Sequence, residues 1–447
     1  MEATLTQNPV ATGFTKDHVE QLSAMKDEPG WLRDARMSAW ATYESLPFPQ
    51  RTDEEWRRTD LRGLKLDRLT PFAIDSAAPL LTEILAGFRD GGISDESARA
   101  GVNVQVDAHA IETELNSDLA AQGVIFTDLG TAMAEHPDLV RKYFMTTAVP
   151  VAFGKFEALH AALWQGGTFL YVPKGVSVEL PFRSFAVGTE VGSSIFNHSL
   201  VVLEQGAEAF FVDAFRSETQ SQQSLASSVV ELHLGKASQL RYVQMQDWGR
   251  HVWNFMTERA VLDDNATLNS LHVTLGSKFT KNSVGAMLQG QHSLAEMLGI
   301  FFADGDQFFD NHTWQIHAAP HATSDLEFKG ALKDNARSVY SGLIKVEEGA
   351  QKTDAYQQNR NLVLSRTARA DTIPNLEIKA NDVRCTHGAT VSQVEPEHVF
   401  YLQARGIPYT EAQKLIVEGF FRPVIDRIPV EEIQGFLESA IARKVGF

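Results

Sequence analysis

The chain has 447 residues, long enough for one large core or two to three domains, with 40 basic against 57 acidic side chains and a net charge of −17. Such a surface repels nucleic-acid backbones and anionic membranes, so neither is expected as a partner. One cysteine, Cys385, excludes an intramolecular disulfide framework and fits a reducing compartment. No basic segment followed by an apolar one opens the sequence, and no apolar run reaches the ~18 residues of a membrane span. A soluble, cytoplasmic protein is expected.

The first part reads as helical. "WLRDARMSAWATYESL" (31–46) places Trp31, Ala35, Met37, Ala41 and Leu46 near one face, and "PFP" at 47–49 stops the backbone ladder. Thr52 and Glu55 have capping-box spacing, and two short helices are expected around 131–145 and 155–165. After Gly167 the texture changes to β-branched and aromatic segments that alternate in polarity and break at glycine, asparagine or aspartate. The turn-like phrases place a small residue at Ala207, Ala237, Ala266, Ser293, Ala322, Ala336 and Ala350, a period near 29 residues with a half-period of 14. A recurrence of that length points to stacked rungs, each stable only against its neighbours, in preference to a hairpin-built β-sandwich.

Helical texture returns at Pro396. Thr410 and Gln413 form another capping-box pattern, Pro429 suits a first helical turn, and Val430, Ile433, Leu437 and Ile441 make an apolar stripe. The expected organisation is a helical region over 1–165 leading into the core, a β core over 166–390, and a helical region over 391–447.

No phosphate-binding loop, dinucleotide fingerprint, nucleophile elbow or zinc-protease motif occurs, so no nucleotide hydrolysis by this chain is expected. Two features carry candidate chemistry. Cys385 and His387, in "EIKANDVRCTHGATV", read as part of the last core strand with a turn after it. Two residues apart on a strand they share a face, Cα atoms ~6.5 Å apart, and both side chains can lean toward one iron or zinc ion. The same spacing is met by a small buried thiol beside a hydrogen-bonded imidazole. His312, His317 and His321 cannot converge on one strand, since alternation sends His312 and His317 to opposite faces; they read as core or turn histidines.

At these residues the chain resembles a known family. "CTHGATV" followed by "FYLQARGIPYTEAQKLIVEGFF" resembles the C-terminal signature of the SufB/SufD family of the SUF iron–sulfur cluster assembly system. "ALWQGGTFLYVPKGVSVELPFRS", "DNHTWQIHAAPHATSDLEFKGAL" and "AQKTDAYQQNRNLVLS" extend the likeness upstream to about residue 150. Gly388 after His387 resembles the SufD type, as does "EEWRRTDL", whereas "IVEGFFRPVIDRIPVEE" is closer to the SufB manner of ending. The resemblance implies a right-handed β-helix core and a non-ATPase assembly scaffold, not an enzyme. It also implies a heterodimer with a SufB-type subunit, and a SufC-type ABC ATPase bound through the C-terminal helical region. Iron or an iron–sulfur cluster would be held transiently by Cys385 and His387 and shared with the partner, because a cluster needs about four ligands and this chain has one thiol. Truncation at Glu395 is expected to remove the ATPase and leave a folded core. The rival readings are a SufB-like paralogue of purely structural role and a β-helix carbohydrate-active enzyme.

Overall fold

The computed structural model describes residues 12–73, 99–428 and 431–446; the expectations for Pro429 and Val430 lie outside them. Helices α1 (Lys16–Met25) and α2 (Gly30–Ser45) open the fold. α2 stops before Pro47 as expected, and Lys155 satisfies its terminal carbonyls, Nζ donating to Tyr43 O and, at 2.8 Å, to Leu46 O. Its buried face is Leu32, Arg36, Ala39 and Trp40, not the expected set, of which Ala35 and Ala41 are exposed. The reason is a buried charge. The Arg36 guanidinium is held in a fork by Glu28 (Nη2–Oε1 2.6 Å), donates to Ala162 O and lies 4.4 Å from the Trp164 ring centre. A neutralised arginine can occupy a core-facing position that a hydrophobic pattern assigns to the surface.

A three-residue 3-10 turn at Glu54–Trp56 replaces the expected capping box; it is preceded by Asp53, whose carboxylate accepts from Gln50 N. Helices α3 (Ser117–Ala121), α4 (Leu129–Glu135), α5 (Pro137–Tyr143) and α6 (Lys155–Leu163) follow, the last three in the two spans where short helices were expected.

From β4 (Gly166–Val172) to β19 (Arg384–Gln393) every strand pairs in parallel with the one two places further along the chain. Odd strands build one sheet and even strands the other, so each turn of the coil adds one rung to both, about eight turns in all. This is a parallel β-solenoid; a sandwich would have paired sequential strands antiparallel. Strands β1 (Gly101–Val106), β2 (His109–Leu115) and β3 (Ile125–Asp128) cap its first rung through a parallel β1–β5 pairing, with β5 at Ser177–Gly188, and an antiparallel β3–β4 pairing. Odd strands begin at Glu208, Gln239, Thr267, Leu294, Thr323, Asp354 and Arg384, 27 to 31 residues apart.

Six of the seven recurring small residues are buried at the turns. The exception is Ala237, which is exposed with φ +56°, while Ser238 beside it takes the interior place at 0% exposure. The repeat was therefore read one residue out of register at that turn. Between the sheets, Phe211, Leu240, Leu268, Ala295 and Leu326 of the odd strands face Val230, Leu232, Ala260 and Ala286 of the even ones.

The outer face of the even sheet is covered by the N-terminal helices, where Leu159 and Leu163 meet Leu200, Val229 and Phe255. The outer face of the odd sheet is covered by α8 (Tyr409–Ile425) and α9 (Glu431–Val445), with α7 (Pro396–Gln403) leading into them. Ile433, Leu437 and Ile441 are at most 2% exposed and, with Val417 and Phe421, pack on Leu298, Ile300 and Phe302. The stripe therefore belongs to the core. Because these helices roof a sheet, removal of residues after Glu395 strips an apolar face, and an intact core without them is not the outcome this packing supports. α8 begins after Pro408 with no side-chain cap; Gln413 Nε2 instead donates to Tyr409 Oη at 3.0 Å, so Thr410 is no N-cap.

Candidate functional site

Strands β18 (Arg369–Ile378) and β19 are the final rung, each at the edge of its sheet. The turn lies at 379–383, before the Cys-x-His motif, and β19 runs on through Gly388 to Gln393, so the expected turn after the motif is absent. Register places Cys385 on Ala355 and His387 on Gln357 of β17 (Asp354–Val363). Ala355 and Gln357 are 1% exposed and belong to the inward row, alternating with exposed Tyr356. Cys385 and His387 continue that inward row into a rung that, among the described residues, no further strand covers. The two residues share a face, as alternation required.

The consequence is graded exposure. Cys385 is half-buried against the cluster of Ile344, Val346, Ala350 and Ala355, while His387 is exposed. Burial, then the Asp354 carboxylate, pushes the Cys385 thiol up, partly offset by the Ala355 amide. A raised thiol is a poor nucleophile, and metal binding must displace its proton. Gly388 is under no steric demand, since a Cβ there would meet nothing closer than Gln358 Nε2 at 3.6 Å. Around the pair, Leu376, Ile378 and Val391 are 38 to 48% exposed. The end of the solenoid thus presents unpaired strand edges and apolar side chains, the combination that accepts another chain. Pro374 in β18 was the available sequence signal: lacking an N–H, it is at home on an edge strand. Among the described residues no three His, Cys, Asp or Glu side chains come together as a metal site.

His312 and His317 lie on β14 (Phe308–His317) and face opposite ways. His317 is inward, Nε2 2.8 Å from Ser324 Oγ. His312 is outward, Nε2 2.9 Å from Asp310 Oδ1, and Asp310 also pairs with Lys281 at 2.8 Å and with the Thr59 hydroxyl. Burial drives the Asp310 carboxyl up, but Lys281 and His312 outweigh it and hold it well below the usual carboxylate range. His321 sits in a turn with φ +60°. Sequence reasoning missed Asp310 although it shares a strand face with His312 at the same i, i+2 spacing as Cys385 and His387. It also missed a buried chain of His160, His198 and Glu231, whose residues are too far apart in sequence to signal one another.

The description "SUF system FeS cluster assembly, SufBD core domain" matches residues 185–420, and "SufBD protein N-terminal region" matches 98–183. The chain is 31% identical over 427 residues to the iron–sulfur cluster assembly protein SufB of Bacillus subtilis, covering 94% of this chain and 90% of that one. It is 31% identical, over the same shares, to an iron–sulfur cluster assembly SufBD family protein of Staphylococcus saprophyticus, and 30% to one of Staphylococcus aureus. Coiled strands, matched domains and relatives aligned over nearly their whole length agree: the chain belongs to the SufBD family of iron–sulfur cluster assembly proteins.

Proposed function

We propose that this chain is a SufD-type scaffold subunit whose open solenoid end meets a SufB-type partner, and that Cys385 and His387 ligate iron or a nascent cluster across that junction. The observation that carries this reading is the inward-facing Cys385–His387 pair in an uncapped last rung. Two ligands cannot enclose a cluster, and a second chain stacked on the rung would supply the rest. The cluster is cargo here. ATP hydrolysis belongs to a SufC-type subunit docked on the C-terminal region, where Phe400, Tyr401 and Tyr409 are 72, 56 and 53% exposed.

One observation favours a second reading, a purely structural SufB-like role: the raised Cys385 thiol is what an inert cysteine would show. Co-expression with SufB-type and SufC-type chains, followed by anaerobic purification and assay of iron and sulfide, separates the two. His387→Ala should lower iron content with the complex intact, and Cys385→Ser should do so more weakly, because metal binding at Cys385 must first displace the proton of a raised thiol. Unchanged iron and sulfide in both variants would leave the structural role standing.

A further inference from the structure

The corner of the coil that precedes the odd strands repeats one backbone conformation. Gly206, Ala237, Asn265, His292, His321 and Lys352 each stand two residues before an odd strand, with φ between +56° and +68°. The turn demands a residue that tolerates the left-handed region, and Gly206 and Asn265 meet that demand in the ordinary way. Nothing in the backbone asks for an imidazole at two successive rungs.

Stacking of the coil brings those two imidazoles together. β13 (Leu294–Ala303) and β15 (Thr323–Leu332) pair in register, Leu294 on Thr323, so His292 and His321 stand one rung apart. Neighbouring strands are ~4.8 Å apart. The two rings accordingly lie face to face, centres 4.9 Å apart and planes 18° apart. Both residues are exposed, and among the described residues neither ring makes a hydrogen bond or an ion pair. The turns beneath them are fixed by other groups. Asn265 N donates to Gln291 O at 2.8 Å, His321 N to Gln351 O at 2.9 Å, and Gln291 N to Asp264 Oδ1 at 2.9 Å. The backbone is held while the rings are left to turn in solvent.

We propose that His292 and His321 form a two-imidazole site for a divalent transition-metal ion. Nitrogens bound to one ion at 2.0–2.1 Å and at right angles lie ~3 Å apart, closer than the stacked rings stand now. A tilt of the two rings toward each other closes that gap, and it breaks no contact except their own stacking. Neutral imidazole suits zinc, copper, nickel, cobalt and ferrous ions, whereas magnesium and calcium take shells of oxygen. Two nitrogens leave further positions to water or to donors from another molecule.

The surrounding charges do not oppose a cation. Lys352, on the rung after His321, is paired with Asp382 (Nζ–Oδ2 2.5 Å), and Lys236 is paired with Asp264 at 2.8 Å. Asp263 is exposed on the rung before His292, and the whole chain carries a net charge of −17, which concentrates cations at its surface. The same corner runs on through Lys352 to Asp382, three residues before Cys385. The site is therefore on the outside of the coil and shares no residue with the Cys385–His387 pair.

Copper(II) iminodiacetate, which keeps two adjacent positions open, tests the pair on the full chain. Cys385→Ser and His387→Ala are introduced first, so that the open rung contributes neither ligand. One equivalent should bind, with two imidazole nitrogens coupled to the copper in pulsed electron paramagnetic resonance. His292→Asn and His321→Asn keep the turn, as Asn265 does, and each should weaken binding about tenfold or more, because a second ligand fixed nearby acts at high effective concentration. Excess zinc should compete for the site and excess magnesium should not. Copper coupled to a single imidazole in the parent, or affinity unchanged by either asparagine variant, overturns the proposal. Displacement by magnesium would overturn it too, since that would place the ion on the aspartates.

Discussion

A single side chain in this fold is judged by what lies one rung above and below it. Ala266 is 0% exposed at a turn repeated along the coil, so Ala266→Leu should destabilise by roughly 1–3 kcal/mol through overpacking, measured by urea unfolding. Asp310 is a sharper case. It neutralises Lys281, and both are buried where the 3-10 turn meets the solenoid. Asp310→Asn strands the ammonium and should cost about 3–5 kcal/mol at neutral pH. Because its carboxyl is held below the unfolded value of 3.8, the wild-type contribution is present above that pH and disappears as pH falls below it; the variant should lack that acid-dependent component. These pairs were illegible in the sequence because Thr59, Lys281 and Asp310 converge only once the coil has been wound.

At the scale of elements, the sequence was most informative where a pattern repeats. The 29-residue period survives in the strand starts, and "PFP" ends α2 for the reason given by proline's missing donor. Both capping boxes failed, because spacing alone cannot say whether Thr52 and Thr410 precede a helix or sit within one. The C-terminal stripe was read correctly as amphipathic, but spacing could not say what it covers. Leu437, 0% exposed between α8 and the odd sheet, should cost about 2–5 kcal/mol when changed to Ala. The proposed docking of a SufC-type ATPase is better probed on the exposed side. Phe400→Asp with Tyr401→Asp should leave the melting temperature nearly unchanged yet abolish co-purification with a SufC-type chain. Undiminished co-purification would place that contact elsewhere.

For the whole molecule, the solenoid decides where the one cysteine lies. A coil of stacked rungs has two ends, and among the described residues β1 to β3 close the first while the last is left open. That asymmetry puts Cys385 and His387 at a mouth instead of a core, and no local pattern announces it, because the inward row of β19 looks like every earlier row. The family likeness pointed to the same two residues by motif, while the structure supplies their orientation and unequal exposure. The central claim is that this open rung is where a second chain stacks. Amide hydrogen exchange across Arg384–Gln393, compared between the isolated chain and its complex with a SufB-type partner, tests it most directly. Protection should rise along β19, including Thr386 and Gly388, while the first rung stays unchanged; a complex that forms with β19 exchanging as in the free chain would contradict the account.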